Sequence, residues 1–247
     1  MKEFDFICSI REDCACTSYL RRFNLQEATY PFDWLTKPGL KTRVDCIVDN
    51  FNDFLEKKNF KILPKTQKLL DNKNDYYENV ALDFYFYHDF PIGVPFEEAF
   101  KNFKEKYNRR IKRLYRKIKS GKDILFVWYS KDKILENKLI MDSYRRLAEK
   151  FKKQNIHLLV FENDSNRDDI FYLGLDKNVL KVISDFASYD KSDPFNEVMG
   201  NVQRNGEVFS QIKFKRSKFK SFLNTIIRKT VKFFRQSSVG VHYKLIF

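Results

Sequence analysis

The order of apolar and polar positions divides the chain into a series of elements. Phe4 to Ile10 (FDFICSI) is a short apolar run of the buried-strand kind, ended by the polar stretch Arg11 to Cys16. Thr17 to Phe23 (TSYLRRF) has helical spacing, with Asp13 placed to cap its start. A turn-rich stretch from Tyr30 to Gly39 leads to a second helical pattern, in which Val44, Ile47, Val48, Phe51, Phe54 and Leu55 share one face. Asn79 to Phe90 alternates and is rich in aromatic residues, which predicts a strand broken by Pro91, Gly93 and Pro95. Phe96 to Ile118 predicts a long helix, with Phe100, Phe103, Tyr107 and Leu114 on its buried side and Gly121 as its stop.

Ile124 to Tyr129, Lys138 to Lys153 and His157 to Phe161 then read as strand, helix and strand, a unit that requires a parallel sheet. Ile170 to Leu175 and Val179 to Phe186 read as further strands, with Asp185 and Asp190 to Asp193 marking an irregular edge. The expected class is therefore α/β, a mostly parallel sheet flanked by helices. From Phe219 the spacing changes to a basic amphipathic helix, with Phe222, Leu223, Ile226 and Ile227 on one face and Lys220, Arg228, Lys229 and Lys232 elsewhere. Val239 to Phe247 has the pattern of a closing strand. The expected division is a catalytic α/β domain at 1–208 and a basic C-terminal segment at 209–247, packed on the domain or on a membrane surface.

Charge gives that division a meaning. The 247 residues carry 47 Lys+Arg against 33 Asp+Glu, a net +14. Ten of the basic residues and no acidic one fall after residue 208, which leaves the first 208 nearly balanced at +4. A uniformly basic, histone-like protein is excluded. An anionic membrane surface is the partner expected for the C-terminal helix, with each Lys or Arg adding about 1 kcal/mol. Packing against the core is the equally available alternative. Met1 to Ile10 carries Lys2, Glu3 and Asp5 where a signal peptide would be apolar, so the expected location is the cytoplasm, or peripherally the inner face of its membrane, with the four cysteines as thiols.

Cys14 follows a strand and stands at an expected helix start. Backbone N–H groups and the helix dipole at such a place favour a thiolate and donate to an oxyanion. A nucleophile there requires a base, and His88, at an expected strand end, is the best placed of three histidines. Asp89, Asp33 or Asp83 is available to orient it. From spacing alone, a buried structural thiol is the commoner outcome for such a cysteine. Cys16 lacks a second cysteine pair, which favours a structural thiol over a zinc ligand.

Three blocks add to this. SIREDCACTSYLRRFNLQEATYPFDWL (Ser9 to Leu35) resembles the opening of a bacterial and viral family of unassigned function described as papain-like cysteine peptidases. The likeness rests on Ser9, Cys14, Leu20-Arg21-Arg22 and Pro31-Phe32-Asp33-Trp34. FYHDFP (Phe86 to Pro91) is similar to the family's His-Asp-Phe element, and FKEKYNRRIKRL (Phe103 to Leu114) to its basic helix. The resemblance implies Cys14 as nucleophile, His88 as base and Asp89 as acid. Arg11 stands where the family usually has glycine. Such a site implies acyl transfer, as hydrolase or acyltransferase, and the family's usual surroundings imply surface-polysaccharide or glycolipid assembly, with a glycan, glycolipid or peptide as substrate.

Further binding candidates are Arg11, Trp34 and, on the basic helix, Arg109, Arg110 and Arg113, which can contact phosphate on a nucleotide, a lipid-linked sugar or CoA as acyl donor. A solvated helix face is the plainer reading of that charge. No Walker or dinucleotide glycine loop is present. The alternative function is a non-enzymatic binding protein that holds an anionic glycolipid or membrane through its basic helices. Nucleic acid is the weaker variant, because no recognised module accompanies the basic patch.

Overall fold

A computed structural model describes residues 2–11, 15–64, 73–130, 134–175, 177–184 and 202–215. The chain divides into two units, Met1–Phe214 and Lys215–Phe247. The C-terminal amphipathic helix and the closing strand expected from the sequence lie outside the described residues. Among those described, no helix is long and apolar enough to cross a membrane.

The elements of the first unit, in chain order, are β1 (Lys2–Phe4), β2 (Phe6–Ser9), α1 (Ala15–Arg22), β3 (Leu35–Thr36), α2 (Leu40–Val48), β4 (Phe60–Ile62), β5 (Asn74–Asn79) and β6 (Phe84–Pro91). They continue with α3 (Phe96–Ser120), β7 (Asp123–Ser130), α4 (Asn137–Lys150), β8 (Asn155–Asn163), β9 (Asp169–Leu173), β10 (Val179–Ser184), α5 (Val202–Ser210) and β11 (Ile212–Phe214).

The central sheet has the order β2-β7-β8-β10-β9. Its first four strands are parallel, and β9 is antiparallel at one edge. ILFVWY in β7 is a continuous apolar run because both faces of a parallel sheet are covered. Ile124, Phe126 and Trp128 pack into a cluster with residues of α3 and α4. Leu125, Val127 and Tyr129 pack into a second cluster with Cys16 and Leu20 of α1 and with Val208 and Phe209 of α5. The expected unit of parallel strands joined by α4 is present as β7-α4-β8.

Beside it lies an antiparallel sheet of order β3-β6-β5-β4, which the sequence pattern does not announce. The single strand expected over Asn79 to Phe90 is two. Asn79 ends β5, and its side-chain carbonyl accepts from the Ala81 and Leu82 N–H groups to fix a turn, with Asp83 at φ 57°. The helix expected to run to Leu55 stops at Val48, since Asn50, Phe51 and Asp53 adopt left-handed φ near 60°. Phe51 and Phe54 are still buried, now from a turn.

α3 covers this sheet with Phe100, Phe103 and Tyr107, and its further half reaches the central sheet with Leu114 and Ile118. It ends at Gly121, where an added Cβ would sit 2.7 Å from Ile124 Cδ1 and would require that side chain to shift. A small parallel pair, β1 with β11, joins residues 212–214 to the amino end of the chain.

Candidate active site

The Pro-Phe-Asp-Trp turn joins the two sheets. Phe32 is buried, stacked on Phe51 and Phe84. The guanidinium of the buried Arg43 lies over the Phe32 and Phe84 rings and donates to the carbonyls of Leu35 and Pro38. This packing fixes the path of residues 32–38, and with it the side chains of Asp33 and Trp34.

Asp33 is fully buried. Its Oδ1 accepts from Thr17 Oγ1 at 3.0 Å, and its Oδ2 accepts from Gln26 Nε2 and from the Tyr30 N–H, each at 2.8 Å. Thr17 lies in the first turn of α1. Gln26 in turn accepts, through Oε1, a long bond of 3.4 Å from the N–H of Ser9 at the end of β2. One carboxylate therefore holds together the end of β2, the start of α1 and the loop between α1 and β3. Burial raises its pKa to about 6, against the lowering effect of the three hydrogen bonds and of Arg21. Arg113 of α3 buttresses the same loop by donating to the Thr29 carbonyl at 2.8 Å.

Trp34, next along, points to the other sheet and meets the His88 ring edge to face at 6.3 Å. His88 is exposed at an irregularity of β6. Asp75 pairs with Phe90 and Tyr77 with Phe86, so Tyr76 alone faces Tyr87, His88 and Asp89. Such a bulge re-aims side chains out of the plain alternation. Asp89 is buried against α3, where it accepts from the Tyr107 hydroxyl at 3.2 Å and pairs with Lys106. The structure thus brings Trp34 to His88 and commits the Asp89 carboxylate to α3.

The three described cysteines are buried. Burial, with Asp33 and Cys16 nearby, pushes the Cys8 thiol well up, and burial pushes Cys46 to about 12. Cys16 packs in the second core cluster. Cys8 and Cys46 are therefore protonated core thiols at neutral pH and poor nucleophiles. Cys14, the residue before α1, lies outside the described residues. Arg11 is buried at the end of β2 with its guanidinium 4.3 Å from the Tyr129 ring centre.

Of the helix arginines, Arg113 serves the loop, Arg110 lies 5.0 Å from the Tyr107 ring centre, and Arg109 is exposed. Among the described residues no group of His, Cys, Asp and Glu is arranged to hold a metal ion. Sequence reasoning missed Thr17 and Gln26 as partners of Asp33. Their signal is faint, because uncharged side chains at spacings of 16 and 7 residues carry no periodicity.

Residues 5–166 match the family described as "Putative papain-like cysteine peptidase (DUF1796)". An uncharacterized protein of Acanthamoeba polyphaga mimivirus is 25% identical over 197 residues, covering 72% of this chain and 87% of the viral one. No solved structure matches.

Proposed function

This chain belongs to the DUF1796 family, described as putative papain-like cysteine peptidases, and from that premise we propose that it is a cysteine-dependent acyl-transfer enzyme with Cys14 as nucleophile and His88 as general base. The observation that carries the reading is the division of labour within one dipeptide. Asp33 anchors the first turn of α1, the helix that Cys14 precedes, while Trp34 abuts the His88 ring. A single turn thus contacts both the helix that follows Cys14 and the ring of His88.

In the reaction, His88 takes the thiol proton of Cys14, and the thiolate attacks a substrate carbonyl carbon. The tetrahedral oxyanion collapses, the leaving group departs with the proton from His88, and a thioester remains. Water or an acceptor hydroxyl then adds, gives its proton to His88, and releases the acid or ester, with Cys14 recovering its proton. N–H groups at the start of α1 are suited to the oxyanion. Trp34 and Asp33 act as positioning residues, and Asp89 steadies β6 through α3. Beside His88, the rings of Tyr87 and Tyr85 lie 6.0 Å apart and Lys37 donates to the Tyr85 hydroxyl. That shelf of ring and hydroxyl groups suits a glycan or a peptide as substrate, with CoA a candidate acyl donor.

Alkylation of the purified protein by a slight excess of iodoacetamide at about pH 6.5, read by peptide mass, tests the assignment. Cys14 is expected to react at least about tenfold faster than Cys46, and the His88→Ala variant to slow Cys14 selectively. Equal rates at Cys14 and Cys46 in the folded protein would overturn it.

A further inference from the structure

On the α5 side of the central sheet, towards the amino ends of its strands, is a cavity of about 480 Å³ with no part in the chemistry above. Its apolar wall is formed by Phe4, Leu125, Leu159, Leu180 and Ile212. Those residues come from β1, β7, β8, β10 and β11, so the cavity is built by the fold rather than by one loop. Ile170 and Tyr172 of β9 stand at its rim, 43% and 52% exposed. The groups able to carry charge that line it are Lys2, Lys177 and His157, all basic.

Lys2 Nζ lies 3.2 Å from Nδ1 of the buried His157, and the His157 ring is held edge to face by Phe4 at 5.3 Å. Burial lowers the Lys2 pKa, which marks the cost of placing an ammonium there, and Asp123, outside the lining, opposes that shift. A cavity in the size range of small-molecule sites, with an apolar wall, two lysines and no carboxylate in its lining, selects for a ligand of the opposite design. We propose that this cavity binds an alkyl or acyl chain ending in an anion, with the chain among Leu125, Leu159 and Leu180 and the carboxylate or phosphate held by Lys2 and Lys177. β11 and α5 contribute Ile212 and Val208 to the lining, so an occupant would also tie these last described elements to the sheet.

Calorimetric titration of the full chain with octanoate, octyl phosphate, 1-octanol and inorganic phosphate tests this. One or both amphipathic anions should bind with about tenfold or greater advantage over 1-octanol and over inorganic phosphate, and should raise the melting temperature. Which of the two binds tighter separates a fatty-acid source from a phospholipid-like one. Leu180→Trp, which fills the chamber, and the pair Lys2→Gln with Lys177→Gln should each weaken binding about tenfold or more, with Cys14 alkylation unchanged. Equal affinity for 1-octanol or inorganic phosphate overturns the proposal. So does undiminished binding by the lysine variant, which decides the matter should Leu180→Trp fail to fold.

Discussion

The two larger sheets solve the same packing problem with different materials. The central sheet is buried on both faces by a mixture of aliphatic side chains and rings, with neighbours turned to opposite faces, as in Leu158, Leu159 and Val160 of β8 and Phe126, Trp128 and Tyr129 of β7. The antiparallel sheet packs one face against α3 and fills that face almost wholly with rings. Phe86 alone meets Phe54, Phe60, Phe103 and Tyr107, with ring centres 5.1 to 6.0 Å apart. Aliphatic layers adjust to their neighbours, whereas interlocked rings hold definite angles. The ring-rich antiparallel sheet is the one that carries the bulge with His88, and the turn bearing Asp33 and Trp34 contacts both it and α1. Regularity supplies the platform, and the departure from regularity supplies the proposed chemistry.

The largest expected effect comes from breaking the ring layer. Phe86→Ala should cost about 4 kcal/mol in denaturant unfolding, and it should also slow Cys14 alkylation under native conditions, because it loosens the seat of His88. In the parallel sheet, the matching lesion is at the buried pair of Glu162 and Lys181, whose charged atoms lie 2.8 Å apart. Glu162 accepts from the Leu135 N–H, while Lys181 donates to the Leu135 carbonyl and to Asn137. Lys181→Met should cost about 3 kcal/mol by stranding the carboxylate, and the double change with Glu162→Leu should recover most of it. If Lys181→Met slowed Cys14 alkylation as much as Phe86→Ala does, the contrast between platform and chemistry would fail.

Asp33 gives a smaller, pH-dependent effect. Its folded pKa of about 6 lies above the ordinary 3.8, so the folded state takes up a proton more readily than the unfolded chain. The stability that this supplies is full below pH 3.8 and is lost as pH rises through about 6. The advantage of the native protein over Asp33→Ala should therefore grow by about 1 kcal/mol between pH 7 and pH 5, as measured by urea unfolding at each pH. The smallest effect belongs to the exposed pair of Lys57 and Glu97, where Glu97→Gln should change stability by less than about 0.5 kcal/mol. A larger value would mean that the start of α3 depends on charge as well as on rings.

The parallel sheet is legible in the sequence because its strands are continuous apolar runs and its crossover helix has a clear period. β7, α4 and β8 fall within a few residues of where that pattern puts them. The antiparallel sheet is harder to read. β3 has two residues and β4 three, too short to show a period. β5 (NDYYEN) is polar along most of its length, because its pairing comes from β4 and β6 rather than from burial. The turn at Val80 to Asp83 hides inside an alternating pattern, since an Asn side chain rather than Gly or Pro makes it.

The candidate site is legible as residue types: Cys14 before a helix, His88 in a strand, Asp33 in a turn. That Asp33 faces α1 while Asp89 faces α3 depends on which side of the chain each carboxylate leaves. The bulge decides this for β6, and nothing local encodes it.

The long bond from the Ser9 N–H to Gln26 has a further consequence. β2 is the outermost parallel strand, with β7 on one side only, and its other border would otherwise offer peptide groups to any extended chain that came near. The loop that carries Gln26, held down by Asp33 and Arg113, meets that border at Ser9 as a selvedge. The contacts that hold this loop also shield the end of β2, and variants that free the loop would be expected to aggregate before they unfold.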